Sequence, residues 1–247
     1  ALMHAGIING GGYLVVRLSP VLVHTLGALH MLAIVGALTA VYASMVMLSQ
    51  TSVKRALAYS TIAQMGFMLL QCGLGAFHLA VLHLVAHSLY KGHAFLSCGS
   101  AVETAKKLNA KPHYAKLKPS RIWLAIGVSF AIVLGLSISF NVSPSDKPGM
   151  LVLSMVLVMA LTQLLWTAMR RGQAGIAFAG TTGVAGSIAA LYYLLAMVAE
   201  MMLSTAVPAE VSVAPIFETI IAVLLLAFLV TSIRFQDGEP GFLTVAY

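Results

Sequence analysis

Apolar stretches long enough to cross a lipid bilayer recur along almost the whole chain, and this constrains the fold more than any motif does. They run from about 3 to 18, 24 to 48, 53 to 72, 76 to 102, 121 to 141, 149 to 169, 174 to 203 and 211 to 233, and about 20 such residues cover the hydrocarbon core. Lipid offers no water to the backbone, so a spanning segment must be a helix or part of a closed barrel. Barrel strands alternate apolar and polar residues, whereas these stretches are apolar on every face. The sequence therefore predicts an all-α, polytopic transmembrane helix bundle of about eight spans.

Composition agrees. Of 247 residues, 60% are hydrophobic and 9% charged, against about 25% charged in a soluble domain. That excludes a fold surrounded by water. The net charge of +7 does not indicate nucleic acid, because no basic face with polar or aromatic companions accompanies it. The charge lies instead in loops, above all Lys106, Lys107, Lys111, Lys116, Lys118 and Arg121 between the fourth and fifth spans.

Basic loops are retained on the cytoplasmic side of a membrane. With that loop in the cytoplasm, alternation carries Lys54, Arg55, Arg170, Arg171 and Arg234 to the same side, eleven of the 14 basic residues in all. Arg17 and Lys147 fall outside, and Lys91 lies within a span. The expectation is a multi-pass inner-membrane protein with cytoplasmic basic loops. The opening residues already read as membrane helix without a signal-peptide layout, so the chain is expected to be the C-terminal part of a longer polypeptide.

The loop from 103 to 120, with Pro112 and Pro119, separates a histidine-bearing front (1–102) from a blander rear (121–247) expected to serve packing and partner docking. Gly175, Gly180, Gly183 and Gly186 in the rear are of the kind that lets helices approach closely in lipid. Cys72 and Cys98 are too few for a disulfide framework or a cysteine-rich zinc site and read as packing residues.

The chemistry concentrates in His83-Leu-Val-Ala-His87-Ser-Leu-Tyr-Lys91-Gly-His93. At about 100° per residue, His83, His87 and Lys91 fall within roughly 80° of one another and rise about 6 Å per step. They form a ladder of titratable groups on one stripe; His78 and His93 fall on other faces. A charged lysine at a helix centre costs from about 3 to over 10 kcal/mol, so such residues face a bundle interior or a wet cavity. Imidazole changes charge near neutrality, which suits the stripe to accepting and passing protons. The bland alternative, a lysine snorkelling to the cytoplasmic interface, requires its stem of about 6 Å to cover about three turns of about 5.4 Å each.

His4, followed by Gly6, Gly10, Gly11 and Gly12, offers a second imidazole beside that stripe or a satisfied core histidine. Lys54, on its residues alone, reads as an interfacial anchor. Glu200 and Glu218 occupy the outer ends of two consecutive spans, as outer proton access or as ordinary interfacial carboxylates. His83 and His87 have metal-like spacing, but no acidic third ligand shares their face. No phosphate loop or nucleophile triad is legible, and no cofactor is expected in this chain.

The run Lys54-Arg-Ala-Leu-Ala-Tyr-Ser-Thr-Ile-Ala-Gln-Met-Gly-Phe-Met, then His83 to Leu96 with Gly99-Ser100, resembles the antiporter-like membrane subunits. These are the proton-conducting subunit L (ND5 type) of NADH:quinone oxidoreductase and its relatives in Mrp antiporters. The resemblance covers residues 1 to about 102, including Met3-His4-Ala5. It implies a hydrophilic axis that moves protons at mid-membrane and places Lys54, His83, His87, Lys91 and His4 in it.

Respiratory members continue into a second broken helix with a lysine or glutamate. Ile122 to Asn141 has no ionisable residue and no proline. That departure, with His4-Ala-Gly-Ile-Ile-Asn-Gly-Gly-Gly-Tyr, is most similar to the membrane subunits of inorganic-carbon accumulation complexes. The resemblance implies a non-enzymatic transporter subunit whose proton flow drives a cytoplasmic, zinc-bearing, carbonic-anhydrase-like partner. The alternative it leaves is a respiratory subunit L or an Mrp-type antiporter subunit.

Overall fold

A computed structural model describes residues 2–108, 120–142, 148–171, 176–208 and 215–237. Most of the expected basic loop, Lys147 and Gly175 lie outside these residues. Every regular element described is helical: a π-helical turn Met3–Ile7, then α1 Asn9–Arg17, α2 Ser19–Leu22, α3 Leu26–Leu48, α4 Val53–Gly73, α5 Phe77–Leu108, α6 Ser120–Ser139, α7 Pro148–Arg170, α8 Ile176–Leu203 and α9 Pro215–Asp237. The eight apolar stretches each correspond to helix.

Two boundaries differ from expectation. The first stretch is not one helix: the π-helical turn precedes α1, and α1 ends at Arg17. Helix α5 continues to Leu108, six residues past the expected edge of the loop. The run Ala101-Val-Glu-Thr-Ala-Lys-Lys-Leu108 contains no glycine or proline, and its Ala, Glu, Lys and Leu are good helix formers. Charge ends a membrane span without ending a helix.

Four described helices are by length and composition apolar enough to cross a membrane: Leu26–Leu48, Arg121–Ser139, Val152–Arg170 and Ala177–Leu203. The polar content of α4 and α5 reflects the site they carry, and α9 contributes a shorter apolar core, Glu218–Leu229.

The chain divides into two compact units: residues 1–109 with 199–247, and residues 110–198. In the first, α3 and α4 pack antiparallel with their backbones in contact. A Cβ on Gly36 would overlap the backbone of Leu70 and Gly66, one on Gly66 would overlap that of Ala40 and Gly36, and one on Gly73 that of Ala33. Close approach of this kind replaces hydrophobic burial as the means of association in lipid. Gly12 of α1 likewise receives the Met68 side chain.

Helices α4 and α5 form a hairpin whose turn, Leu74 to Ala76, is buried. Gly75 supplies a φ of 77° there, a left-handed backbone that side chains disfavour. Val16, Leu29, Met68, Cys72, Phe77 and Ala80 make an apolar cluster at this end, with Val207 packed against it. Cys72 is a packing residue, as expected, and both cysteines are free.

In the second unit, α6, α7 and α8 share a cluster of Ala125, Val133, Leu161, Leu165, Met169, Ala185 and Ala189. Tyr193 stacks against Phe140 at 5.7 Å and lies 3.4 Å from the Ser154 hydroxyl. Of the rear glycines expected to serve packing, Gly180, Gly183 and Gly186 point away from this cluster. A Cβ on Gly180, Gly183 or Gly186 would meet nothing within 4 Å, because α8 turns Ala185 and Ala189 to the cluster instead. Among the described residues, the glycines that let helix backbones touch are Gly36, Gly66 and Gly73 of the front.

Candidate functional site

The α4–α5 hairpin fixes the site by register. Ser60 and Lys91 lie 15 and 16 residues from Gly75, so at about 1.5 Å per residue the two antiparallel arms bring them level. Phe67 and His83 meet by the same register, their rings 5.4 Å apart. Lys91 stands 14 residues into α5, about 21 Å along it.

Lys91 has no solvent-exposed surface, although it belongs to the residue types least often buried. Its ammonium donates to the Ser60 hydroxyl at 2.7 Å and to the Leu57 carbonyl at 3.4 Å. Both partners belong to the Lys54-to-Ser60 run. The snorkelling alternative is thereby removed: the side chain turns across to α4 rather than along α5. The Tyr90 ring also lies near, its centroid 5.6 Å from Nζ.

Below Lys91 on the same stripe, His87 is buried, and its ring centroid lies 6.0 Å from that of His83. Both ring nitrogens of His87 and Nε2 of His83 are buried without a hydrogen-bond partner. A neutral imidazole carries one donor and one acceptor nitrogen, so these rings hold unused capacity for both. That is the chemical content of the stripe: three titratable groups one turn apart, the top one anchored and the lower two unengaged.

His4 joins the stripe one rung beyond Lys91. Its ring stacks on Phe95, four residues after Lys91, at 4.8 Å and an interplanar angle of 7°. Its Nδ1 is buried and unpartnered. Alongside, the Asn9 amide donates to the Ser88 hydroxyl at 2.7 Å, and that hydroxyl donates to the Leu84 carbonyl at 2.8 Å. The His4–Phe95 stacking and the Asn9–Ser88 bond run the first segment antiparallel to α5.

The remaining site residues stand apart. Lys54 is exposed in the first turn of α4, six residues and about 9 Å along the axis from Ser60. Glu200 is exposed near the end of α8, whereas Glu218 is 5% exposed in the first turn of α9 with Oε1 unpartnered. Burial thus distinguishes two carboxylates that sequence treated alike. Among the described residues, no group of three His, Cys, Asp or Glu side chains is placed to hold a metal ion.

Sequence reasoning missed Ser60, Leu57, Asn9 and Ser88. The first two were recoverable to within about a turn, because counting equal distances outward from Gly75 pairs residue 60 with residue 90, the neighbour of Lys91. Asn9 and Ser88 carried no comparable signal.

The family described as NADH:quinone oxidoreductase/Mrp antiporter, TM matches residues 1–142, all of the front and α6. The chain belongs to this family. It is 48% identical over 142 residues to the probable inorganic carbon transporter subunit DabB1 of Halothiobacillus neapolitanus, covering 54% of this chain and 25% of that protein. It is 44% identical over 173 residues to the probable inorganic carbon transporter subunit DabB of Hydrogenovibrio crunogenus, covering 70% of this chain and 32% of that protein. The NADH-ubiquinone oxidoreductase chain 5 of Dictyostelium citrinum is 40% identical over 103 residues, 41% of this chain and 15% of that protein. The chain spans about a quarter to a third of the length of the two carbon-transporter relatives. It is a membrane protein of the antiporter-like class.

Proposed function

We propose that this chain is part of a proton-conducting membrane subunit of an inorganic-carbon (carbon dioxide/bicarbonate) accumulation complex. The observation that carries the proposal is Lys91, wholly buried in mid-helix and continued by His87 and His83 along one stripe. A buried amine one turn from imidazoles with unengaged nitrogens is an arrangement for handing protons along α5. An intramembrane ionisable group costs several kcal/mol and is retained for such work.

In this reading Lys91, His87 and His83 are the relay. His4 extends it beyond Lys91, and Lys54 receives or delivers protons at the cytoplasmic end of α4. Glu200 and Glu218 provide outer access, Glu218 being the better suited because it is buried. Residues 1–102 act as the channel region, the basic segment 103–120 faces the cytoplasm, and 121–247 supplies packing and docking. The location is the inner membrane.

The carbon chemistry is assigned to a partner: a cytoplasmic, zinc-bearing, carbonic-anhydrase-like subunit driven by inward proton movement. This chain itself is read as non-enzymatic and without a cofactor. The carbon-transporter relatives are 48% and 44% identical over 142 and 173 residues, against 40% over 103 and 33% over 139 for two respiratory chain 5 relatives, which favours this reading over a respiratory subunit.

The test is growth and co-purification. Lys91→Ala in the intact transporter is expected to abolish growth in air and spare growth in high carbon dioxide, with a single large zinc protein as companion. Equal growth of variant and wild type in air, or co-purification with flavin and iron–sulfur subunits, would overturn the proposal.

A further inference from the structure

We infer that Ser60 is the positioning residue of the relay: its hydroxyl reverses between acceptor and donor as Lys91 gains and loses its proton, and so holds Nζ at one place in both charge states. The inference rests on the proton-conducting reading of Lys91 and extends it to a residue that takes no proton itself.

The argument begins with what surrounds the amine. Among the described residues no carboxylate lies within ion-pair distance of Lys91, and its partners on α4 are two neutral oxygens, Ser60 Oγ at 2.7 Å and Leu57 O at 3.4 Å. An ammonium has three donors and no acceptor, and both oxygens can receive from it. When the proton leaves, the amine keeps two N–H donors and gains a lone pair. The Leu57 carbonyl can only accept. It also receives the Thr61 hydroxyl at 3.0 Å, which commits it further. Ser60 alone of the two can rotate its O–H to face the lone pair while its oxygen remains where it was.

The need for such a device follows from the side chain. Lysine is a point charge on a flexible four-carbon stem, and a neutral amine attracts the dipoles around it less than an ammonium does. Without a group that bonds both forms, Nζ would lie near Leu57 and Ser60 when charged and wander when neutral. A relay step to His87, one turn below, requires the nitrogen to start and finish in the same position. Ser60 belongs to helix α4 and sits level with Lys91, so its backbone supplies the reference for Nζ.

The experiment uses the intact transporter in proteoliposomes, labelled with 15N-lysine, with the Lys91 Nζ resonance identified as the one lost in Lys91→Arg. Ser60→Ala is expected to lower proton flux about tenfold, the effect of losing one hydrogen bond to a charged group, and to shift or broaden that resonance. Ser60→Thr, which keeps the hydroxyl, is expected to restore both. Thr61→Ala, which removes a hydroxyl from the same turn of α4, is expected to leave the resonance in place. If Ser60→Ala lowers flux while the resonance is unchanged, Ser60 serves packing only and the inference fails. Unaltered flux in Ser60→Ala would overturn it equally. If Lys91→Ala conducts protons like the wild type, the underlying reading fails instead.

Discussion

Lys91 of α5 and Ser60 of α4 face each other across the hairpin, Nζ 2.7 Å from Oγ, and neither the stripe on α5 nor the motif on α4 is complete without the other. Because the contact follows from hairpin register, every residue between them and Gly75 is placed by the same rule. The lysine is therefore held in the protein interior by tertiary structure, not by its own helix.

His87 occupies the position from which a proton would reach or leave Lys91. Replacing it with Gln keeps a polar side chain near the size of imidazole but removes the titrating group, and proton flux is expected to fall by about a hundredfold, within the usual range for losing a positioned acid–base group. Stopped-flow measurement of vesicle acidification checks this. A flux within twofold of wild type would remove His87 from the path.

The α3–α4 contact gives a stability prediction. Gly36→Ala places a methyl group against the backbone of Leu70 and Gly66, where no side chain can yield, and overpacking of this kind costs about 1–3 kcal/mol. Gly180→Ala points into open space and is expected to be neutral or slightly stabilising, since alanine is the better helix former. Thermal unfolding in detergent should separate the two; equal midpoints would contradict the packing described.

The α1–α5 clamp is testable as a pair. Asn9→Ala and Ser88→Ala remove the two ends of one hydrogen bond, and polar contacts between membrane helices couple by about 0.6 kcal/mol on average and about 1.7 at most. A double-mutant cycle in unfolding free energy is expected to fall in that range. Additive losses would show that the bond contributes nothing.

Glu218 and Glu200 should differ in reactivity toward a hydrophobic carbodiimide, which partitions into apolar settings and there takes up the proton of a carboxyl and adds its oxygen to form an O-acylisourea. Glu218, buried with an unpartnered oxygen, is expected to be modified, and exposed Glu200 to be spared. Mass spectrometry of digested protein reads the outcome, and modification of Glu200 alone would reverse the assignment.

Much of this is legible in the amino-acid sequence. Span positions follow from a physical requirement that lipid imposes on every segment, so α3 to α9 fall where the apolar stretches lie. The stripe of His83, His87 and Lys91 follows from helical period alone. What the chain does not display is tertiary. Gly180 and Gly36 look equivalent in sequence, yet one faces open space and the other a backbone, because the distinction depends on which face α8 or α3 turns inward. Glu200 and Glu218 are the same residue type and equally near helix ends, and only packing separates them. Lys54 belongs to the same motif as Ser60, yet its place in the first turn of α4 leaves it exposed, while a turn and a half further the hairpin closes over Ser60.

The central claim is that Lys91 carries protons, and the most direct measurement is proton flux through the intact transporter in sealed proteoliposomes under an imposed pH gradient. Lys91→Ala is expected to abolish flux above the rate of empty vesicles while the protein remains folded and assembled. Flux equal to wild type in that variant would contradict the account.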